Sequence, residues 1–225
     1  ITRIQIPANA LPVVATVADL VSQRTGAPVE EVAALDEALR PGVFQVAAPL
    51  HTSQPGDPHG PRVDIRLTGD GAGRLASGGG RLLYAAAWYL IDVLAPGGID
   101  ALEQGLSIRP SFAWNRSCYD LFLTQEGRIQ RGLDPETYVR QLARWGFTHA
   151  EVNALAWPMG IETGPKGEVY PMFYTYCPAL DQFVSSSLNK GLYPPYYLSA
   201  NLATLKRNAA LARKYGLVPG LTSFE

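Results

Sequence analysis

Three segments of the sequence carry polar side chains among residues that otherwise predict buried strands: "SFAWNRSCYD", "HAEVNAL" and "LVPGLTSFE". Charged and amide groups are costly to bury unless they have partners, so their recurrence at strand positions predicts a pocket that binds a polar ligand. Carboxylates in such a pocket can exchange protons, and amide and guanidinium groups can bind hydroxyl groups. The candidates are Asn115, Arg116, Asp120, His149, Glu151, Asn153, Ser223 and Glu225.

The alternation of residue types indicates which of these side chains face the pocket. In a parallel barrel, one parity of each strand faces the interior and the other faces the surrounding helices. Ala150, Val152 and Ala154 have the parity suited to packing under helices, which leaves Asn153 facing inward. Glu225 lies at the far end of the third segment. Active sites lie at the C-terminal ends of barrel strands, so Asn153 and Glu225 are predicted to contribute to the site.

Each candidate also has an ordinary alternative. Arg116 either binds a ligand or forms a salt bridge with Asp120. Asn153 either lines the pocket or caps the end of its strand, and Glu225 either belongs to the site or is a solvated loop residue. The other polar residues of "HAEVNAL" lie earlier in the strand, where a structural role is predicted.

A long segment after the second strand bears on the kind of ligand. It runs from Trp157 to Leu198, far longer than the roughly 2–6 residues usual between a strand and a helix. It is predicted to lie over the active face, where Trp157 would bind substrate, because aromatic faces stack on the C–H surfaces of sugars. Alternatively, the aromatic residues form a small core of the loop itself. They are Trp157, Tyr170, Phe173, Tyr174, Tyr176, Phe183, Tyr193, Tyr196 and Tyr197.

The elements that would position these residues fall into two parts, and residues 1–108 predict a small α/β domain. Strands are predicted in "ITRIQIPAN", "VFQVAAPL", "RVDIRLTGD" and "GAGRLASGGG". Two main helices on one face are predicted in "LPVVATVADLVSQRTG", between Pro12 and Gly26, and in "RLLYAAAWYLIDVLA". Leu82, Ala86, Leu90 and Val93 are predicted to share one face of the second helix. Gly78–Gly80 predict a plain turn, since the spacings of phosphate-binding loops are absent.

Residues 109–225 predict alternating strands and helices. A strand near Ser111–Cys118 precedes the helix "DPETYVRQLARWG", with Asp134 as its N-cap and Gly146 after its end. A strand in "FTHAEVNALAW", a helix in "ANLATLKRNAALARKYG" and a strand in "LVPGLTSFE" follow, and right-handed crossovers between such elements build a parallel sheet. The predicted fold class is therefore α/β: a small N-terminal α/β sandwich domain followed by the first three strands of an incomplete (β/α)8 barrel.

The composition excludes several classes of protein. The 225 residues carry a formal charge of −1 and are 47% hydrophobic, which is typical of a soluble globular protein. The charge balance argues against nucleic-acid or anionic-membrane binding, and no apolar run reaches the ~20 residues that span a bilayer. Cys118 and Cys177 match no zinc spacing and are predicted to be free thiols, with a disulfide as the alternative. The three histidines lie far apart, so neither a metal nor a cofactor is predicted.

The order of these elements resembles two families of glycoside hydrolases, the α-glucuronidases and β-hexosaminidases, in which a small α/β domain precedes a (β/α)8 barrel. The similar segments are "GRLLYAAAWYLIDVL", "IRPSFAWNRSCYDLF", "YVRQLARWGF", "THAEVNAL" and "LARKYGLVPGLTSFE". The α-glucuronidases are nearer, because the second strand ends in an Asn and the third follows a helix with the lead "KYGL".

This resemblance implies a glycoside hydrolase that acts on plant or bacterial oligosaccharides, with Arg116, Asn153, Trp157 and Glu225 binding the sugar. Glycoside cleavage uses a pair of carboxyl groups, and in these families the main acid follows the fourth strand or a later one. The catalytic residues are therefore expected beyond residue 225, and the chain is expected to be a fragment of a longer enzyme. A non-catalytic carbohydrate-binding protein and a barrel enzyme of another class are the alternatives.

Overall fold

The structure is a computed structural model and describes residues 1–48, 62–94, 96, 100–110, 115, 134–151 and 195–220. The chain packs as two compact units. The first comprises Ile1–Asn115, Ala143–Thr148 and Arg213–Val218, and the second comprises Arg116–Leu142, His149–Ala212 and Pro219–Glu225. The division of the chain at residue 108 stays a prediction.

One mixed sheet of six strands forms the centre of the first unit, in the order β2–β1–β3–β5–β4–β6. The strands are β1 (Arg3–Pro7), β2 (Val29–Val32), β3 (Val43–Ala47), β4 (Val63–Leu67), β5 (Gly73–Ser77) and β6 (Leu106–Ile108). Neighbours from β2 to β5 pair in parallel, whereas β4 is antiparallel to both β5 and β6. Hence β4 alone runs opposite to the other strands of this sheet.

Helices α1 (Pro12–Thr25) and α2 (Leu83–Tyr89) pack against each other and against this sheet. The core lies between the helices and the sheet face that carries the apolar residues of each alternating strand. A short helix, α3 (Asp100–Glu103), contacts β4. Buried residues of the core are Ile4, Ile6, Val13, Val14, Val17, Phe44, Val46, Val63, Ile65, Leu75, Leu83 and Ala87. The α/β class predicted from the sequence is confirmed for this unit.

The sequence predicts the ends of helix α1 correctly and the start of helix α2 incorrectly. Helix α1 begins at Pro12 and ends at Gly26, whose φ of 74° lets its N–H donate to the carbonyl oxygen of Ser22, as predicted. Helix α2 is shorter than its apolar pattern predicts. Leu82 precedes it with a left-handed φ of 64°, and a π-helical turn, Leu90–Leu94, follows it. The prediction that Leu82 shares a helix face is therefore wrong, because the chain turns out of the glycine segment at that residue.

The three consecutive glycines form a 3₁₀ turn, which confirms the plain turn that the sequence predicts. Gly79 and Gly80 have φ values of 64° and 77°, a region that favours glycine. A Cβ on Gly80 would lie 2.6 Å from Cγ1 of Val13 in helix α1. The turn therefore needs glycine both for its backbone conformation and for its close approach to α1.

The later elements follow in the predicted order: α4 (Pro135–Arg144), β7 (His149–Glu151), α5 (Pro195–Lys214) and β8 (Val218–Gly220). The backbone N–H of Thr137 donates to Asp134 Oδ1 over 3.0 Å, so Asp134 caps α4 as predicted. Helix α5 begins at Pro195, which corrects the prediction that the loop after Trp157 continues to Leu198. The rest of that segment, 157–194, lies outside the described residues.

Strands β7 and β8 are neighbours in a two-stranded sheet. The N–H of Val218 donates to the carbonyl oxygen of Thr148 over 2.9 Å. Two residues further along both strands, a Cβ on Gly220 would lie 3.8 Å from the carbonyl oxygen of Ala150. Both contacts advance in the same direction along the two strands, so β7 and β8 pair in parallel. Helix α5 lies between them in sequence, which agrees with the predicted strand–helix–strand unit. None of the helices in the described residues is long and apolar enough to span a membrane.

Candidate functional site

Three backbone segments that lead towards the predicted polar pocket lie beside one another. The N–H of Thr148 donates to the carbonyl oxygen of Asn115 over 2.8 Å, and the N–H of Val218 donates to the carbonyl oxygen of Thr148 over 2.9 Å. The Thr148 hydroxyl also accepts from the N–H of Asn115 at 2.7 Å and lies 3.0 Å from its carbonyl oxygen. The three segments therefore lie side by side in the order of the sequence.

These hydrogen bonds place the starts of the segments that lead to the predicted site. Arg116 follows Asn115 directly, and Asn153 and Glu225 lie further along the chain from Thr148 and Val218. Arg116, Asn153, Trp157 and Glu225 themselves lie outside the described residues. Their roles in binding substrate stay predictions.

The described start of β7 is covered on both of its faces. Thr148 is 1% exposed, His149 is 7% exposed and Ala150 is fully buried. A strand of a parallel sheet that packs on both sides has this pattern of burial. The hydrogen bonds of Thr148 satisfy its buried hydroxyl within the backbone, so this residue has a structural role.

A second polar site, which the sequence analysis did not predict, lies on the sheet face opposite the core of the first unit. It is a cleft of about 360 Å³ formed by β4, β5, β6 and nearby loops. We call it the arginine cleft, because three arginines line it. Its lining residues are Leu39, Arg62, Asp64, Ile65, Arg66, Arg74, Gln104, Gly105, Leu106 and Ser107.

The Arg74 side chain is held in place by neutral acceptors. Its Nε donates to Gln45 Oε1 over 2.8 Å, and one terminal nitrogen donates to the same oxygen over 2.5 Å. That nitrogen also donates to the carbonyl oxygen of Asp36, which in turn accepts from Gln45 Nε2 over 3.1 Å. Gln45 is 1% exposed, so a buried amide fixes the guanidinium at the edge of the cleft without neutralising its charge.

The other charged residues of the arginine cleft leave it positive. Arg62 Nε lies 2.7 Å from Asp64 Oδ1, and this pair is half exposed. Among the described residues, Arg66 has no ion pair with a carboxylate. Within the described part of the chain, the three arginines and one aspartate of the lining therefore leave two positive charges without a carboxylate partner.

Sequence reasoning missed this cleft for a physical reason. The alternation in "RVDIRL" does indicate that Asp64 and Arg66 face away from the core. Polar residues on the outer face of a sheet are ordinary, however, and predict only exposure to solvent. The pairing register between β4 and β5 is what sets Arg66 directly opposite Arg74.

The described residues contain no group of three or more His, Cys, Asp or Glu side chains that could hold a metal ion. The charged groups that line the arginine cleft are three guanidinium groups and the carboxylate of Asp64, and this excess of cations suits an anion.

Comparisons with known proteins identify the fold. No protein family matches the sequence, and no curated protein does. Six chains of solved structures match. One of them is a GH138 enzyme targeting pectin rhamnogalacturonan II, with a TM-score of 0.58 and 13% sequence identity. The match covers 96% of this chain and 24% of that enzyme's chain. The chain thus resembles in fold about a quarter of the length of that enzyme.

Proposed function

We propose that this chain is the N-terminal portion of a carbohydrate-active enzyme, a glycoside hydrolase in which an α/β domain precedes a (β/α)8 barrel. The observation that carries the proposal is the structural match to the GH138 enzyme over 96% of this chain. A fold can host many activities, so the class of reaction needs support from the chain's own residues.

The arrangement of the later segments supports the proposed barrel. Asn115, Thr148 and Val218 lie side by side, and β7 and β8 run in the same direction with α5 between them in sequence. In a (β/α)8 barrel, consecutive strands pair in parallel and each is followed by a helix. In the proposal, the segment at Asn115 precedes or forms the first barrel strand, and β7 and β8 are the second and third.

The proposed substrate is an oligosaccharide, of the kind that α-glucuronidase-like enzymes cleave. Asn153, Trp157 and Glu225 would follow or end the second and third strands, on the face where barrel enzymes bind substrate. Arg116 would reach the substrate from the first strand. Amide, guanidinium and carboxylate groups hydrogen-bond sugar hydroxyls, and an indole ring stacks on the sugar's C–H surface. The catalytic pair of carboxyl groups would lie beyond residue 225 in the full-length protein.

The test compares this chain with the full-length protein that contains it. Both are assayed with a panel of chromogenic aryl glycosides and with glucuronosyl oligosaccharides free of an aryl group. We expect turnover by the full-length protein and none by residues 1–225 alone, because three strands cannot complete an eight-stranded site. Turnover by residues 1–225 would contradict the placement of the catalytic pair. A full-length protein that binds oligosaccharides without cleaving them would instead establish a binding protein.

A further inference from the structure

We propose that the arginine cleft is a second binding site, separate from the predicted catalytic pocket, which takes the carboxylate of an acidic sugar. The cleft belongs wholly to the first unit, and its lining residues lie between 39 and 107. None of the residues assigned to the proposed catalytic face contributes to it.

The register of the sheet provides the first argument. Arg66 on β4 and Arg74 on β5 are direct partners across an antiparallel pair. Like charges directly opposite each other destabilise a sheet. Among the described residues, no ion pair joins either guanidinium to a carboxylate, and the one aspartate of the cleft pairs with Arg62. A bound anion would relieve the repulsion between the two arginines.

The second argument is the geometry of the two guanidinium groups. Three hydrogen bonds to Gln45 Oε1 and the Asp36 carbonyl oxygen fix Arg74, so little side-chain entropy would be lost when a ligand binds it. Arg66 is exposed and can close on a ligand from the neighbouring strand. The planar fork of Arg66 matches the two oxygens of a carboxylate. Arg74 donates to Gln45 and Asp36 through its Nε and one terminal nitrogen, so its other terminal nitrogen is the donor that can reach the same anion.

The size and remaining lining of the cleft favour a sugar as the carrier of that anion. Its volume of about 360 Å³ lies within the range of roughly 300–1,000 Å³ found for small-molecule sites. Gln104 and Ser107 offer hydrogen-bonding groups, while Leu39 and Leu106 offer apolar surface. A pyranose ring with a carboxylate presents hydroxyl groups, a C–H face and one negative charge, which matches these three kinds of group.

The choice of a sugar rests on the proposed function, whereas the binding of an oxyanion rests on the cleft alone. The oxygens of a phosphate ester could accept hydrogen bonds from the same guanidinium groups. The experiment therefore separates three ligands: an acidic sugar, its neutral counterpart and a sugar phosphate.

The experiment measures binding to the full-length protein by calorimetry and by the side-chain Nε–Hε signals of its arginines in ¹⁵N-labelled protein. The probes are methyl galacturonate with a free carboxylate, methyl galactoside and galactose 6-phosphate. We expect the free acid to bind at least about fivefold more tightly than the neutral sugar, as one charge-assisted hydrogen bond would give. The free acid should also shift the signals of Arg66 and Arg74.

The variant Arg66→Ala should weaken binding of the acid by about fivefold or more, and Arg66→Lys should restore part of the loss. Arg3→Ala, which removes an exposed arginine of the same sheet outside the cleft, is the matched control and should leave binding unchanged. Turnover of aryl glycosides by Arg3→Ala should equal that of the wild type.

Equal affinity for the acid and the neutral sugar, or an unchanged affinity in Arg66→Ala, would overturn the proposal. If the sugar phosphate bound more tightly than the acidic sugar, the ligand of the cleft would be a phosphate ester, and the proposal would also be overturned. Absence of glycosidase activity would contradict the proposed function, yet it would leave these binding measurements intact, so the two failures can be told apart.

Discussion

The backbone of Gly216 packs closely against the backbone of Gly80. If Gly216 carried a Cβ atom, that atom would lie 2.6 Å from the carbonyl oxygen of Gly80 and 3.0 Å from Cγ2 of Val13. The residue that leads into β8 thus packs against the glycine turn before α2. Gly216 also has a φ of 79°, so both its conformation and its surroundings favour glycine.

Substituting Gly216 by alanine should therefore destabilise the protein by about 3 kcal/mol. Roughly 1–2 kcal/mol arises from the left-handed backbone conformation, and the rest from the steric clash between the alanine Cβ and the backbone carbonyl oxygen of Gly80. Gly146→Ala is the matched control, because Gly146 has a φ of 82° and nothing within 4 Å of its Cβ position. Urea denaturation of both variants measures the difference, and equal losses of stability would show that the contact with Gly80 contributes nothing.

Asp134 should make the stability of helix α4 depend on pH. The hydroxyl of Thr137 donates to Asp134 Oδ2 over 2.6 Å, and the Thr137 N–H donates to Oδ1 over 3.0 Å. These two bonds, the hydroxyl first, lower the pKa of Asp134 from its ordinary value. A lowered pKa in the folded state means that ionised Asp134 stabilises the fold above the ordinary pKa of about 3.9. This contribution is lost as the pH falls through the lowered pKa.

Asp134→Ala should cost about 1 kcal/mol at neutral pH, the usual value of an N-cap. Asp134→Asn should keep most of the cap and lose its pH dependence. The free energy of unfolding in urea, measured between pH 7 and pH 2, checks this prediction. The gap between the wild type and Asp134→Asn should narrow on acidification, and a gap that stayed constant would contradict the assigned hydrogen bonds.

Arg144, the last residue of α4, should stabilise the first unit through two contacts. Its guanidinium carbon lies 4.1 Å from the ring centroid of Trp88, and its terminal nitrogen lies 2.8 Å from Asp92 Oδ2. The ion pair is exposed, so it contributes only about 0.2–1 kcal/mol, whereas the cation–π contact contributes about 0.5–2 kcal/mol.

Arg144→Ala should therefore cost about 1–2 kcal/mol, and Asp92→Asn, which removes the ion pair alone, should cost about 1 kcal/mol or less. Thermal unfolding at low and high salt distinguishes the two contributions. Salt screens the ion pair, which both substitutions remove. It should therefore reduce the stability loss of Asp92→Asn by a larger fraction than the stability loss of Arg144→Ala. If the two substitutions had the same effect at every salt concentration, the contact with Trp88 would contribute no stability.

Substitution of Asn153 or Glu225 by alanine should slow sugar turnover by the full-length protein. Loss of one or two hydrogen bonds to the substrate, at about 1–3 kcal/mol in total, corresponds to roughly 5- to 150-fold in kcat/KM. Asn9→Ala and Glu31→Ala, at exposed positions of the first unit, are the matched controls and should retain full activity. Activity unchanged in Asn153→Ala and Glu225→Ala would remove both residues from the proposed site.

The helix ends and the longer strands could be predicted from the sequence, because their causes lie within a few residues. Pro12 and Gly26 bound α1 and Asp134 caps α4 through contacts inside a single turn. The alternation in β4 likewise predicts a strand with one buried face, and Val63 and Ile65 are buried. The order of elements that led to the resemblance to glycoside hydrolases depends on the same local signals.

Tertiary structure decided the features that depend on partners distant in sequence. The strands β2 and β6, "VEEV" and "LSI", carry too few apolar residues to predict a strand and form because β1 and β4 pair with them. Gln45 can be buried because Arg74 on the neighbouring strand and the carbonyl oxygen of Asp36 satisfy the hydrogen-bonding groups of its amide. The antiparallel pairing of β4 with β5 sets Arg66 opposite Arg74 and creates the arginine cleft. The alternation of residue types predicts which face of the sheet a side chain lies on, but only the register between strands determines which charged residues are neighbours.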